Sequence, residues 1–208
     1  TPAFSLVLHT WTQDLQRHIH VHAVMACGVL AKDGDKDAQW HTPTRKPDFL
    51  FPVRALSTVF RGKFVAALTR AHHQGDIERD PQGDEKAWCA RQRQLYQHEW
   101  VVYAKTPLGG PAQVLEYLSR YTHRTAISNE RIRAMTQQDV VFSVRANDQG
   151  GKRLRRLSGT EFIRRFLLHV LPPGLQRIRH YGLLANCPRE VKLERCRQLL
   201  NSPAPVTP

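Results

Sequence analysis

His18-Ile19-His20-Val21-His22 is a run of alternating histidines and aliphatic residues inside a longer apolar stretch, and a further histidine, His9, precedes it. On a β-strand, alternation sends His18, His20 and His22 to one face and Ile19, Val21 and Ala23 to the other. The aliphatic face is expected to pack, leaving the histidine face to hold a metal. Two β-branched runs, Phe4 to Trp11 and Ile19 to Leu30, flank the polar segment Thr12 to Arg17, the pattern of a long hairpin. In such a hairpin His9 sits opposite the histidine face and completes a three-imidazole site with His20 and His22. Two imidazoles at i and i+2 on a strand lie ~7 Å apart at Cα, close enough for both to reach one ion. His18 and the more distant His123 stand as alternative third ligands.

Working outward, Asp33-Gly34 turns the chain and Pro43, Pro47 and Pro52 mark a loop. Leu56, Val59, Phe60, Phe64 and Leu68 then recur at helical spacing over Arg54 to Arg70, predicting an amphipathic helix with Arg54, Arg61 and Lys63 outward. His72 to Lys86 reads as a polar, mobile loop, followed by a helix to Gln97 and a strand over Glu99 to Lys105. Gly109-Gly110-Pro111 opens a helix that turns Val114, Leu115 and Leu118 inward together with Tyr117 and Tyr121. A short strand over Thr125 to Ser128 is expected next. A second hairpin then pairs Val140 to Ala146 with Lys152 to Leu157, and Ser158 with Glu161 forms a capping box for a helix to Leu171. Gln176 to Tyr181 reads as a final strand and Pro188 to Leu200 as a basic helix. The expected fold class is α+β, a central antiparallel sheet flanked by helices, with 1–200 as one catalytic domain and 201–208 as a disordered tail.

Among the 208 residues, 31 Lys and Arg face 18 Asp and Glu, a net charge of +13, with most of the excess after Arg120. That field favours a polyanion, nucleic acid first. Four scattered cysteines, Cys27, Cys89, Cys187 and Cys196, lack CxxC spacing, which argues against both a zinc module and a disulfide framework and fits a reducing cytoplasm. No apolar run reaches the ~20 residues of a membrane span, and no signal peptide opens the chain. A start at Thr1 without Met implies missing upstream sequence. Nucleotide-cradling glycine loops and a Ser-His-Asp order are absent from the sequence.

Tyr117 and Tyr121 are one helical turn apart, so their hydroxyls emerge on one face, beside Arg120, His123 and Arg124. A phenol of pKa ~10 attacks poorly at neutral pH, and a metal that polarises a phosphate lowers that barrier. Histidines and tyrosines together suggest metal-assisted chemistry on a phosphodiester. Lys105, Arg120, Arg124, Arg153, Arg155 and Arg156 are the candidates for holding DNA. The last three belong to a dense basic region with Arg145, Lys152, Arg164 and Arg165, several of which are expected on one face.

These features resemble the HUH endonucleases, named for two histidines flanking a hydrophobic residue, here His20-Val21-His22, and used with a catalytic tyrosine. The chain is similar in particular to two-tyrosine rolling-circle insertion-sequence transposases of the IS-ninety-one type. Leu8-His9-Thr10-Trp11, Phe51-Pro52-Val53-Arg54, Phe60-Arg61-Gly62-Lys63-Phe64 and Trp100-Val101-Val102-Tyr103-Ala104-Lys105 carry the likeness. So do Gly109-Gly110-Pro111 and, above all, Tyr117-Leu118-Ser119-Arg120-Tyr121-Thr122-His123-Arg124, followed by Ala126-Ile127-Ser128-Asn129. The likeness runs from about Leu8 to Leu200. It implies nicking and rejoining of single-stranded DNA through a 5′-phosphotyrosine, with Tyr117 and Tyr121 as nucleophiles and Mg2+ or Mn2+ held by His20 and His22. His9 as third ligand rests on similarity to three-histidine relaxases. Between the two HxH registers, the resemblance favours His20 and His22, because Cys27-Gly28 follows at the family's spacing.

Members of that family usually carry an N-terminal cysteine-rich zinc module, which this sequence does not show before Thr1, so impaired or absent recognition of DNA ends is expected. The implied location is the bacterial cytoplasm, with the nucleoid. Two other readings are a transposase fragment that binds DNA without cutting it and an unrelated metal-binding structural protein, which would lack salt-sensitive DNA affinity.

Overall fold

The computed structural model describes residues 1–31, 37–42, 51–77, 85–122, 126–146, 150–185 and 189–202, with 120–122 and 189 as backbone alone. In chain order the elements are strands β1 (Pro2–Trp11), β2 (Arg17–Ala31) and β3 (Gln39–His41), helices α1 (Val53–Gln74), α2 (Glu85–Gln97) and α3 (Pro111–Thr122), strands β4 (Ile132–Met135), β5 (Asp139–Arg145) and β6 (Lys152–Ser158), helix α4 (Gly159–Leu167), strand β7 (Ile178–Gly182) and helix α5 (Arg189–Leu199). They fall into two compact units, Thr1–Thr42 with Leu108–Pro208, and Pro43–Pro107. The class is α+β, with antiparallel sheets and helices, as the sequence predicts. Among the described residues no helix is long and apolar enough to cross a membrane.

The histidine-bearing runs form the hairpin β1–β2, in which His9 pairs with His20 and Val7 with His22. Strand order is β3-β2-β1-β7, so β1 is central and takes β7 on its other side, with Ser5 opposite His180. The predicted final strand is present, shifted slightly, whereas the three-residue β3 was not expected. The two faces of the hairpin are reversed from expectation. Ser5, Val7 and His9 are buried, with Val7 1% and His9 8% exposed, while Ile19 and Val21 are 58% and 48% exposed. The histidine side is the covered one because α3 lies against it and β1. Ala3, Leu30, Ala38, Leu183 and Cys196 form a core at the far end, where the Trp40 indole lies so close to Gly28 that a Cβ there would meet it at 2.5 Å.

A second sheet, β4-β5-β6, was not separated from the first in the sequence reading. Its β5–β6 hairpin falls where predicted, and Phe142 and Val144 supply buried core residues. Ser158 caps α4 by accepting the Glu161 N–H at 3.3 Å. The Glu161 carboxylate turns instead to Arg164 and Arg165, so only half of the capping box forms. The helix ends at Leu167, one turn before the expected Leu171. The strand expected over Thr125 to Ser128 is not found: Ala126 has φ of 60°, incompatible with a strand, residues 127 and 128 are irregular, and Thr125 lies outside the described residues.

The β1–β2 turn joins the two sheets. Leu15, with φ of 59°, is fully buried among Ala126, Phe142, Val144 and Leu157. Three consecutive turn carbonyls accept bonds from this second layer: Gln13 from Arg131, Asp14 from Arg165 at 3.2 Å, and Leu15 from His169 at 3.1 Å. The Arg145 N–H adds a bond to the Gln13 side chain at 2.7 Å. The bond to Leu15 satisfies a buried, irregular backbone carbonyl that would otherwise lose its water without replacement.

In the helical unit, α1 and α2 pack through Val65 and Trp88, with His72 stacked on Trp88 at 4.0 Å and Gln92 donating to Thr69 at 2.7 Å. α1 runs beyond its predicted end, into part of the expected loop, and closes on Gly75 at φ of 77°; residues 78–84 lie outside the described residues. Leu56, Val59, Phe60 and Phe64, expected inward, remain 37–53% exposed, and Arg61 is half-buried with a bond to the Tyr96 carbonyl. The strand expected over Glu99 to Lys105 is irregular chain instead. Trp100 folds back onto Phe60 and Phe64 and donates to the Leu95 carbonyl, while Val101 and Tyr103 are 93% and 79% exposed. A β-rich run without a ladder partner has nothing to pair its backbone.

Candidate active site

Register places His9 and His20 side by side, and period two brings His22 to the same face. The three ring centroids are 4.9 Å (His9–His20), 4.8 Å (His20–His22) and 5.4 Å (His9–His22) apart. One nitrogen from each ring lies within 4.8 Å of the other two, an arrangement that could hold a metal ion. Two imidazole nitrogens at ~2.1 Å from one ion and near-tetrahedral angle stand about 3.4 Å apart; His9 Nδ1 and His20 Nε2 are 3.3 Å apart. His20 Nδ1 lies 3.0 Å from the His18 carbonyl. A carbonyl only accepts, so that nitrogen carries the hydrogen and in the neutral ring Nε2 keeps its lone pair on the side of His9. His18 therefore meets the cluster through its backbone, while its exposed ring is 4.8 Å from that of His20.

Burial, and then the neighbouring His20, lower the His9 and His22 imidazoles from 6.5 to about 4; His9 is held down further by His22, Arg177 and His169. Both rings are neutral at physiological pH, the form that donates a lone pair.

Tyr117, on α3, brings its hydroxyl to 2.9 Å from His22 Nδ1. Pro111 opens that helix and Val114 and Leu118 are half-buried with Tyr117, but Leu115, expected inward, is 67% exposed. Tyr121 follows one turn later on the same helix, described as backbone like Arg120; His123 and Arg124 lie outside the described residues. Lys105 is exposed in the irregular segment of the helical unit.

The basic hairpin does not present its arginines as one face. Arg153 and Arg155 pair with Val144 and Phe142 and share the side of buried Leu157, and alternation sends Arg156 to the other side. Arg153 meets Asp14 at 3.3 Å and Arg156 meets Asp139 at 3.5 Å, and Arg164 and Arg165 are engaged by Glu161.

Behind His9 stand residues to which sequence reasoning gave no role. The Trp11 ring is 3.8 Å from the His9 ring, with the Arg177 guanidinium 5.9 Å above the indole. Buried His169 contacts Thr10 and Leu15. His169 is separated from them by more than 150 residues, and no local pattern could have signalled it.

The histidine trio, with a tyrosine hydroxyl at its edge, thus lies on an antiparallel sheet in a strongly basic chain. Residues 4–191 match the family model described as "Putative transposase", and the chain belongs to that transposase family. It is 43% identical over 208 residues to "Putative transposase y4qJ" of Sinorhizobium fredii (strain NBRC 101917 / NGR234), an alignment covering 98% of this chain and 51% of that protein. The chain thus spans about half the length of the curated relative it matches. No solved structure matches it.

Proposed function

We propose that this chain is the nuclease region of an HUH-type, two-tyrosine rolling-circle transposase, which nicks and rejoins single-stranded DNA with Tyr117 and Tyr121 as nucleophiles. The 2.9 Å approach of the Tyr117 hydroxyl to His22 carries the reading, because it puts a nucleophile beside the only histidine trio of this kind among the described residues. His20 and His22, with His9 as third ligand, would hold a divalent ion, Mg2+ or Mn2+, which when bound polarises the phosphate and offsets charge on the leaving oxygen.

The chain's own groups do the rest. His22 Nδ1, when it carries the ring hydrogen, donates to the Tyr117 oxygen and favours the phenolate, which is otherwise scarce at neutral pH. The tyrosine oxygen attacks phosphorus, the bond to the 3′ oxygen breaks, and the products are a 5′-phosphotyrosine and, after proton uptake, a 3′ hydroxyl. Tyr121 gives a second acceptor for strand transfer. Arg120, Arg124, Lys105 and the β6 arginines are assigned to the phosphate backbone, an electrostatic role that suits the net charge of +13. The reading carries with it a single-domain organisation over 1–200 and a location with the nucleoid in the bacterial cytoplasm.

The test is a denaturing gel of this chain with internally labelled single-stranded oligonucleotides from the element's ends. A Mn2+-dependent adduct lost in Tyr117→Phe/Tyr121→Phe is expected. Salt-sensitive binding without any adduct would instead identify a chain that holds DNA and does not cut it.

A further inference from the structure

We propose that His169 is a positioning residue for the histidine trio, fixing the β1 segment Thr10–Trp11 against which the His9 imidazole is set; the proposal rests on the reading of that trio as a metal centre. His169 is 1% exposed and follows α4, far from the hairpin in sequence. Its Nε2 lies 3.1 Å from the Leu15 carbonyl and must carry the hydrogen, because a carbonyl only accepts. In the neutral ring Nδ1 then accepts the Thr10 hydroxyl proton across 3.2 Å. The ring is anchored at both ends, once to the β1–β2 turn and once to the residue adjoining His9.

From there the contact continues through Trp11. Its indole is 5.8 Å from the His169 ring and 3.8 Å from the His9 ring, centroid to centroid. Thr10 and Trp11 lie at the strand end where the register shifts between His9 and Trp11, so the local backbone is not held by a regular ladder alone. Free to relax, that segment would let the His9 ring turn away from His20. With the turn carbonyls also gripped by Arg131 and Arg165, the second sheet and α4 act as a rigid mount for one wall of the site. Groups that hydrogen-bond a metal ligand directly typically change metal affinity 10- to 100-fold, and His169, which reaches His9 through Thr10 and Trp11, is placed at the low end of that range.

The experiment is calorimetric titration of the full chain with Mn2+ alone, alongside the visible spectrum of the Co2+-loaded chain as a report on ligand geometry. In His169→Ala, Mn2+ affinity is expected to fall by about tenfold and the Co2+ spectrum to change. His169→Gln, whose amide can still donate to the Leu15 carbonyl, is expected to recover part of that loss. If His169→Ala fails to fold, Thr10→Val removes one anchor at nearly constant volume and is expected to weaken Mn2+ about threefold, the worth of one modest hydrogen bond. Parent-like affinity and spectrum in a folded variant would overturn the positioning role while leaving the metal centre intact. A parent chain that takes up neither ion would overturn the metal centre, and the proposal with it.

Discussion

The two long hairpins of this chain, β1–β2 and β5–β6, have the same antiparallel geometry and both carry rows of ionisable residues, but they use them in opposite ways. In β1–β2 the histidines lie on the covered face, where burial and mutual proximity keep His9 and His22 neutral well below the usual imidazole pKa. In β5–β6 the arginines of β6 are mostly open to water, and Arg153 and Arg156 find acidic partners. Charge count favours the second hairpin as the functional one; desolvation favours the first. Perturbed groups in a covered cluster are the better guide to chemistry, since solvated ion pairs cost and contribute little.

The contrast breaks most sharply at His22. His22→Ala removes both a candidate ligand and the partner of Tyr117, and is expected to weaken Mn2+ binding at least ~100-fold, more than the loss of a supporting residue would; titration calorimetry reads it, and affinity within a few-fold of the parent would remove His22 from the site. Acid gives an intermediate effect. An imidazole near 6.5 in the unfolded chain and about 4 in the fold takes its proton first in the unfolded state. The stability of the metal-free chain is therefore whole above about pH 6.5 and is lost as the pH falls toward 4. Thermal melts at pH 7 and 4.5 should show a drop that shrinks in His9→Gln/His22→Gln; an equal drop in both proteins would locate the acid sensitivity elsewhere. The smallest effect belongs to the other hairpin. Arg156→Ala is expected to change stability by less than ~0.5 kcal/mol in urea unfolding, because its pair with Asp139 is solvated. If Arg156 touches phosphate, the same substitution lowers the salt slope of DNA binding by about one.

Much of the first hairpin was legible. Two β-branched runs with a short polar break between them suffice to set His9 opposite His20, and strand alternation adds His22. The sequence did not disclose which face would be covered, because periodicity separates two faces without ranking them; α3, some ninety residues later, decides that. The strands β3 and β4 are three and four residues long and carry exposed polar or mixed side chains, too short for any alternation to register. The opposite error, at Glu99 to Lys105, arose because Trp100, Val101, Val102 and Tyr103 have strand-like composition and no ladder to join. The contacts of His169 are long-range and left no local trace.

The order of strands in the first sheet also has a consequence for how the chain is made. β1, at its centre, leaves the ribosome well before β7, and β2 can close on it within a short local loop. Its other edge waits for β7, with Ser5 meeting His180 across 175 residues. Throughout that interval β1 exposes unpaired N–H and C=O groups along a strand rich in aliphatic side chains, the profile of an aggregation template. Slow, non-local completion of this kind sets the folding rate of a sheet. The nascent histidine hairpin is therefore a segment that a chaperone would shield until β7 arrives.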